Sequence, residues 1–165
     1  LTFLGAQLGD KVAVDLYQRH RDTEDWRWKP DTAFDPIGYC LEDRGEDAPV
    51  AILLSLSGKI DMGTLPAEIS ETHTIYEISL KDVDPTPTFL NCARDLIAFR
   101  TFWHETQSKI AARHGDDQPI SIFPAVPAPI AVSIGKDRLP KARAPLRLYD
   151  NDTAKGGFTF QMEID

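Results

Sequence analysis

The segment PVAILLSLSG (49–58) is apolar almost without interruption. A run of this length predicts a strand covered on both faces, the kind found in parallel sheets. KVAVDLY (11–17) alternates and is β-branched, which predicts a half-buried strand. HTIYEISL (73–80), QPISIFPA (118–125) and PLRLYDN (145–151) predict three more, and GFTFQMEI (157–164) an alternating last one. Helical periodicity fills the gaps. GKIDMGTLPAEI (58–69) is weakly helical. A long helix is predicted over 89–113, capped by Thr86 or Thr88 and stopped by Gly115, because Phe89, Ala93, Leu96, Ile97, Phe102, Trp103, Ile110 and Ala111 approximate a 3.6-residue period. PAPIAVSIGKDRLP (127–140) predicts a further helix, with prolines in its first turn where a missing N–H costs nothing. Residues 19–38 are charged and then rich in Asp and Pro, predicting a turn, a short strand around Trp26 and Trp28, and a loop; 42–47 is a charged turn.

From residue 49 the order is β, short α, β, long α, β, α, β, β. Strands separated by helices imply right-handed crossovers, hence an α/β, Rossmann-like, mostly parallel sheet. The last two strands, joined by a short Gly-containing turn, imply an antiparallel hairpin at one edge. One phrase is written twice. LYQRHRDTEDWRW (16–28) and LYDNDTAKGGFTF (148–160) place Tyr17, Trp26 and Trp28 each 132 residues before Tyr149, Phe158 and Phe160, without a gap. Two unrelated hairpins could share this spelling. A duplicated unit could also produce it, with its closing hairpin at 12–28 and again at 144–164. On that reading residues 1–48 end a first, incomplete unit and its connecting loop. Residues 49–165 are then the second unit, and the natural protein continues before Leu1.

Charge narrows the partners. The net charge of −8 does not supply the phosphate-neutralising surface that duplex DNA requires, although a local pocket can still be positive. No apolar run approaches the roughly 20 residues of a membrane helix, and no secretory signal is visible, so a cytoplasmic protein is expected. Cys40 and Cys92 then read as reduced, packed thiols.

The sequence carries no nucleophile elbow, no phosphate-binding G-x-x-x-x-G-K-[ST] and no G-x-G-x-x-G. His104-Glu105 resembles the start of a zinc motif, but Ser108 breaks it; no catalytic residue and no metal site are expected. What remains is a binding architecture, because ligands of open parallel sheets sit beyond the carboxyl ends of the strands. In SLSGK (55–59), Ser55, Ser57, Gly58 and Lys59 could wrap an anion with hydroxyls, amides and one ammonium. The same residues also read as a plain turn with an exposed lysine. In FPAVPAP (123–129), Phe123, Pro124, Ala125 and Pro127 lead into a helix whose N-terminal amides point past the sheet. Prolines shaping a tight turn is the alternative. Tyr149 and Asn151 lie at a strand end, matched by Gln18 and Arg19 in the earlier phrase. Trp26 could stack on a base, or be core.

The segment ISIFPAVPAPIAVSIG (120–135), followed by PLRLYD and an aromatic last strand, resembles the SAVED domain. AILLSLSGKI and the helix LNCARDLIAFRTFWHETQSKI extend the similarity over about residues 11–164. That family is the sensor domain of effectors in bacterial anti-phage systems of the CBASS type, a fusion of two CARF-like Rossmannoid units. The resemblance implies a cyclic di- or trinucleotide as ligand, no cofactor, oligomerisation on binding, and an attached effector, a nuclease by family analogy. It implies a pocket over 55–59, 123–129 and the strand ends at Tyr17 and Tyr149. Two other readings stand beside it: a ring-nuclease-like enzyme that cleaves its own cyclic ligand, and a purely structural assembly domain.

Overall fold

The structure is a computed structural model describing residues 1–9, 12–20, 23–30, 34–138 and 143–165. Lys11 of the expected first strand, Arg21 and Asp22 of the expected turn, and Leu139 and Pro140 of the expected last helix lie outside the described residues. The elements are α1 (Thr2–Leu8), β1 (Pro36–Glu42), β2 (Val50–Ser55), α2 (Ala67–Thr72), β3 (Thr74–Leu80), α3 (Ala93–His114), β4 (Ile120–Ala125), α4 (Ala128–Lys136), β5 (Leu146–Asp152) and β6 (Gly157–Ile164). Single 3-10 turns occur at Met62–Thr64 and Thr153–Lys155.

Six strands form one sheet in the order β1-β3-β2-β4-β5-β6. The four inner strands are parallel, and the two outer ones pair antiparallel: β1 with β3, β6 with β5. The sheet is therefore α/β and mixed, with the expected hairpin at the β5–β6 edge. Every residue of β2 is buried, as its unbroken apolar run requires. Alternation splits its side chains between two cores. Ile52, Leu54 and Leu56 join Phe99 and Trp103 of α3 and Ile130 and Ile134 of α4; Ala51 and Leu53 join Ile60, Leu65, Ile69, Phe123 and Phe158 on the opposite face.

Four expectations are corrected. Helix α3 begins at Ala93, not near residue 89, because Asp95 decides its start. The Asp95 carboxylate is buried and accepts N–H bonds from Asn91 (3.0 Å), Cys92 (3.0 Å) and Phe34 (3.2 Å). A carboxylate in the first turn satisfies orphan donors and complements the helix dipole better than the threonine hydroxyls upstream. The weak helix of 58–69 is a loop with a 3-10 turn, and α2 starts only at Ala67. PIGYCLE folds as the edge strand β1, which leaves Cys40 exposed rather than packed, whereas Cys92 is buried as expected. The fourth correction concerns the first copy of the repeated phrase. Its described residues, 12–20 and 23–30, contain no strand. Burial still alternates there, with Val14, Leu16 and Gln18 half-buried and Asp15, Tyr17 and Arg19 exposed. The period of two was real, but among the described residues no neighbouring strand supplies a ladder.

Helix α1 was not foreseen. It packs on α4 through two facing glycines: a Cβ on Gly135 would stand 1.8 Å from the Thr2 carbonyl oxygen, and one on Gly5 2.0 Å from that of Val132. Backbones approach this closely only where neither residue has a side chain.

Candidate ligand site at the strand-order reversal

The chain runs outward from β2 to β3, then returns past β2 to β4. The order therefore reverses between β2 and β4, and the crevice beyond their carboxyl ends is where ligands of open α/β sheets bind. The two ends remain tied, because the Ala125 carbonyl accepts from the amides of Leu56 (3.2 Å) and Ser57 (2.7 Å). A cavity of about 350 Å³ opens there, lined by Tyr17, Gln18, Arg19, Trp26, Ser57, Pro87, Val126, Pro127 and Ala128. Among the described residues Arg19 is the one charged side chain in that lining. Pro127 is the N-cap of α4, so the first amides of a nine-residue helix lie at the wall and add partial positive charge.

Residues 12–20 and 23–30 lay Arg19 and Trp26 over this crevice and are held by a few specific contacts. The Lys29 amide donates to the Asn91 carbonyl (2.9 Å), and the His20 amide to that of Asp25 (2.9 Å). Trp28 stacks on Tyr17 at 6.4 Å between ring centroids and meets the edge of His20 at 6.3 Å. Leu16, Trp28 and Phe34 pack on the α3 side of the core. Trp26 is left 59% exposed. His20 is buried, and its Nε2 has no hydrogen-bond partner among the described residues.

Of the residues singled out in the sequence, Gln18, Arg19, Trp26, Ser57 and Pro127 meet in this cavity. Gly58 adjoins Ser57 in open space, since nothing lies within 4 Å of where its Cβ would stand. Lys59 is exposed, and no carboxylate among the described residues pairs with it. Ser55 and Phe123 are turned elsewhere. The Ser55 hydroxyl accepts from the Ile60 amide (3.2 Å), and Phe123 is fully buried, stacked 4.4 Å from Tyr149. Both owe their places to packing. Ala125 contributes its carbonyl to the strand ends. Pro124 and Tyr149 line a second cavity on the far side of Val126. Asn151 is exposed on β5, opposite Phe158. The site residue outside the predicted segments is Pro87; the prolines of DPTPT were its only trace, read instead as a helix entrance. The Thr86 amide donates to the Leu56 carbonyl (3.1 Å), which carries that loop to the end of β2.

Groups whose acidity the fold shifts lie away from this crevice. The Tyr39 hydroxyl donates to the buried Glu77 carboxylate, which pushes it up to about 12. Burial holds His73 below the usual histidine range. Among the described residues no three His, Cys, Asp or Glu are placed to hold a metal, and no helix is long and apolar enough to cross a membrane. The crevice places one guanidinium, a hydroxyl and helix amides beside an open aromatic face.

The profile of the SMODS-associated and fused to various effectors sensor domain, SAVED, matches residues 1–164. This chain belongs to the SAVED family. No curated protein matches it. Two solved structures similar to this SAVED domain are of the Acinetobacter baumannii Cap4 SAVED/CARF-domain containing receptor. The one with the cyclic trinucleotide 3'3'3'-cAAA aligns at a TM-score of 0.61 and 16% identity, covering 98% of this chain and 35% of that one. The one with 2'3'3'-cAAA aligns at 0.54 and 14% identity, covering 83% and 28%. At these identities the likeness is one of fold. The chain spans about a third of the length of those receptors.

Proposed function

We propose that this SAVED domain senses a cyclic oligonucleotide, a cyclic di- or trinucleotide, in the crevice between β2 and β4. The observation that carries the reading is the meeting of Arg19, the Ser57 hydroxyl, the α4 N-terminus and the open face of Trp26 at the strand-order reversal. The cation and amides suit a phosphodiester. The indole suits a base, since stacking needs only a π-face. Lys59 and the Gly58 amide reach the outer phosphates. Family membership supports the reading, as do the cyclic trinucleotides in the similar Cap4 receptors. The chain acts as the sensor without catalysis of its own. Binding drives homo-oligomerisation and switches on a fused effector, a nuclease by family analogy, in the cytoplasm. Residues 1–48 form the seam with a preceding CARF-like unit and lend β1 to the sheet of the second, 49–165.

Calorimetry of the full-length protein against cyclic di- and trinucleotides tests this. Saturable heat from at least one ligand is expected. Silence from every ligand would sink the reading.

A further inference from the structure

Strand β1 leaves one edge of the sheet open. It is antiparallel to β3 on one side, and among the described residues no strand pairs with its other side. Natural edges are commonly guarded by lysines, prolines or inward charges. Ile37, Gly38, Tyr39 and Cys40 are none of these. Pro36 stands only at the first position, and the register shift between Cys40 and Glu42 ends the regular run. Ile37 and Tyr39 are 39% and 42% exposed, so the open edge is also apolar.

A cavity of about 260 Å³ opens beside that edge, between β1, β3 and α3. Tyr76, Ile78, Phe102 and Ile110 give it a largely apolar body. Gly38 keeps it open at the strand, since a Cβ there would stand 3.2 Å from the Phe102 ring. Cys40 and Thr106 add a thiol and a hydroxyl, and the Tyr76 hydroxyl is bonded to His114 Nε2 (2.8 Å). Three lining residues are charged. The Glu77 carboxylate bonds Tyr39 on the opposite face of the sheet, because alternation separates it from the core residue Ile78. Arg113 is occupied by a two-pronged pair with Asp43 (2.9 and 2.7 Å). Lys109 is exposed, and no carboxylate among the described residues pairs with it.

An open edge binds an added strand through main-chain bonds, and a pocket beside it selects among the side chains of that strand. In an extended peptide, side chains two positions apart share a face and stand roughly 6.5 Å apart. One can fill the cavity while the next on that face meets Lys109, and those between them cover Ile37 and Tyr39. We propose that β1 is a docking edge for an extended peptide segment of a protein partner, with an apolar side chain in the cavity and an acidic one two positions away on Lys109. The cavity shares no lining residue with the crevice between β2 and β4, so the inference stands apart from the nucleotide reading.

The test probes an array of short polythreonine peptides with the full-length protein. Two central positions, two apart, are varied through apolar, acidic and basic residues. Phenylalanine with glutamate is expected to bind at least about tenfold more tightly than alanine with glutamate, the loss of one buried ring. It should exceed phenylalanine with lysine by about threefold, the share of a surface ion pair. Lys109→Glu should reverse that second preference without changing the melting temperature, because the side chain is exposed. Amide exchange with the best peptide should slow those β1 amides that β3 does not bond. No binding, binding without the two preferences, or a charge preference that survives Lys109→Glu overturns the proposal. So does protection of the outer β1 amides before any peptide is added, which would show the edge covered by the chain itself or by a second copy.

Discussion

Residues 16–28 and 148–160 share one spelling and fold differently. The later phrase becomes the β5–β6 hairpin. Tyr149 stacks on Phe123 and meets Phe160 at 5.8 Å, Phe158 meets the edge of Phe123 at 5.3 Å, and β5 finds a parallel partner in β4. The earlier phrase has the same inward-outward alternation but no strand beside it. Its Tyr17 and Trp28 stack on each other instead of on a sheet. A pattern of period two states which side chains face inward. Only a neighbour with free backbone groups turns that into a strand. The hairpin is held by a backbone ladder and buried apolar area, whereas residues 12–20 and 23–30 are held by Leu16 and Trp28 on the core and a few backbone hydrogen bonds, which leaves Trp26 and Arg19 exposed.

This contrast can be broken at either end. Phe158→Ala empties the aromatic layer between β4, β5 and β6 and should cost about 4 kcal/mol, the usual loss for a buried phenylalanine, in urea unfolding of the full-length protein. Asp95→Ala orphans the amides of Phe34, Asn91 and Cys92 and should cost about 3 kcal/mol. Its distinguishing sign is early proteolytic cleavage within residues 12–30, with the hairpin still protected in amide exchange. A smaller effect is expected at the hairpin turn. Gly156 sits at φ 81°, so Gly156→Ala should cost about 1 kcal/mol and leave the 12–30 segment untouched. The mildest perturbation is pH. Burial lowers the folded pKa of His73 below its unfolded value near 6.5. The unfolded chain therefore binds the extra proton first, and stability declines as pH falls below about 6.5. His73→Gln should flatten that part of the denaturation midpoint against pH.

What the sequence disclosed follows the same division. β2, β3, β4 and the β5–β6 hairpin were legible because each buries a continuous or alternating apolar set against neighbours that also read as strands. β1 was not, because PIGYCLE is exposed along nearly its whole length and owes its place to the free edge of β3. α1 hid because two glycines, invisible to hydropathy, create its seat on α4. The beginning of α3 was misplaced because a hydroxyl near a helix start is a common signal, while the tertiary bond from Asp95 to Phe34 spans 61 positions. At the site, the β2 and β4 ends were readable as carboxyl ends of parallel strands, but so was the end of β5, and only the observed strand order separates them. Phe123 and Ser55 were not separable from the ligand-facing residues, since a one-residue step along a strand moves a side chain from crevice to core.

The account rests most directly on the crevice between β2 and β4 binding its ligand through the 12–30 segment. Calorimetric titration of wild-type, Trp26→Ala and Arg19→Ala full-length proteins with one cyclic trinucleotide that binds the wild type measures this. Both side chains are exposed, so melting temperatures should not change, whereas each affinity should fall at least about tenfold, the loss of one stacked base or one charged contact. Affinities equal to that of the wild type in both variants would contradict it.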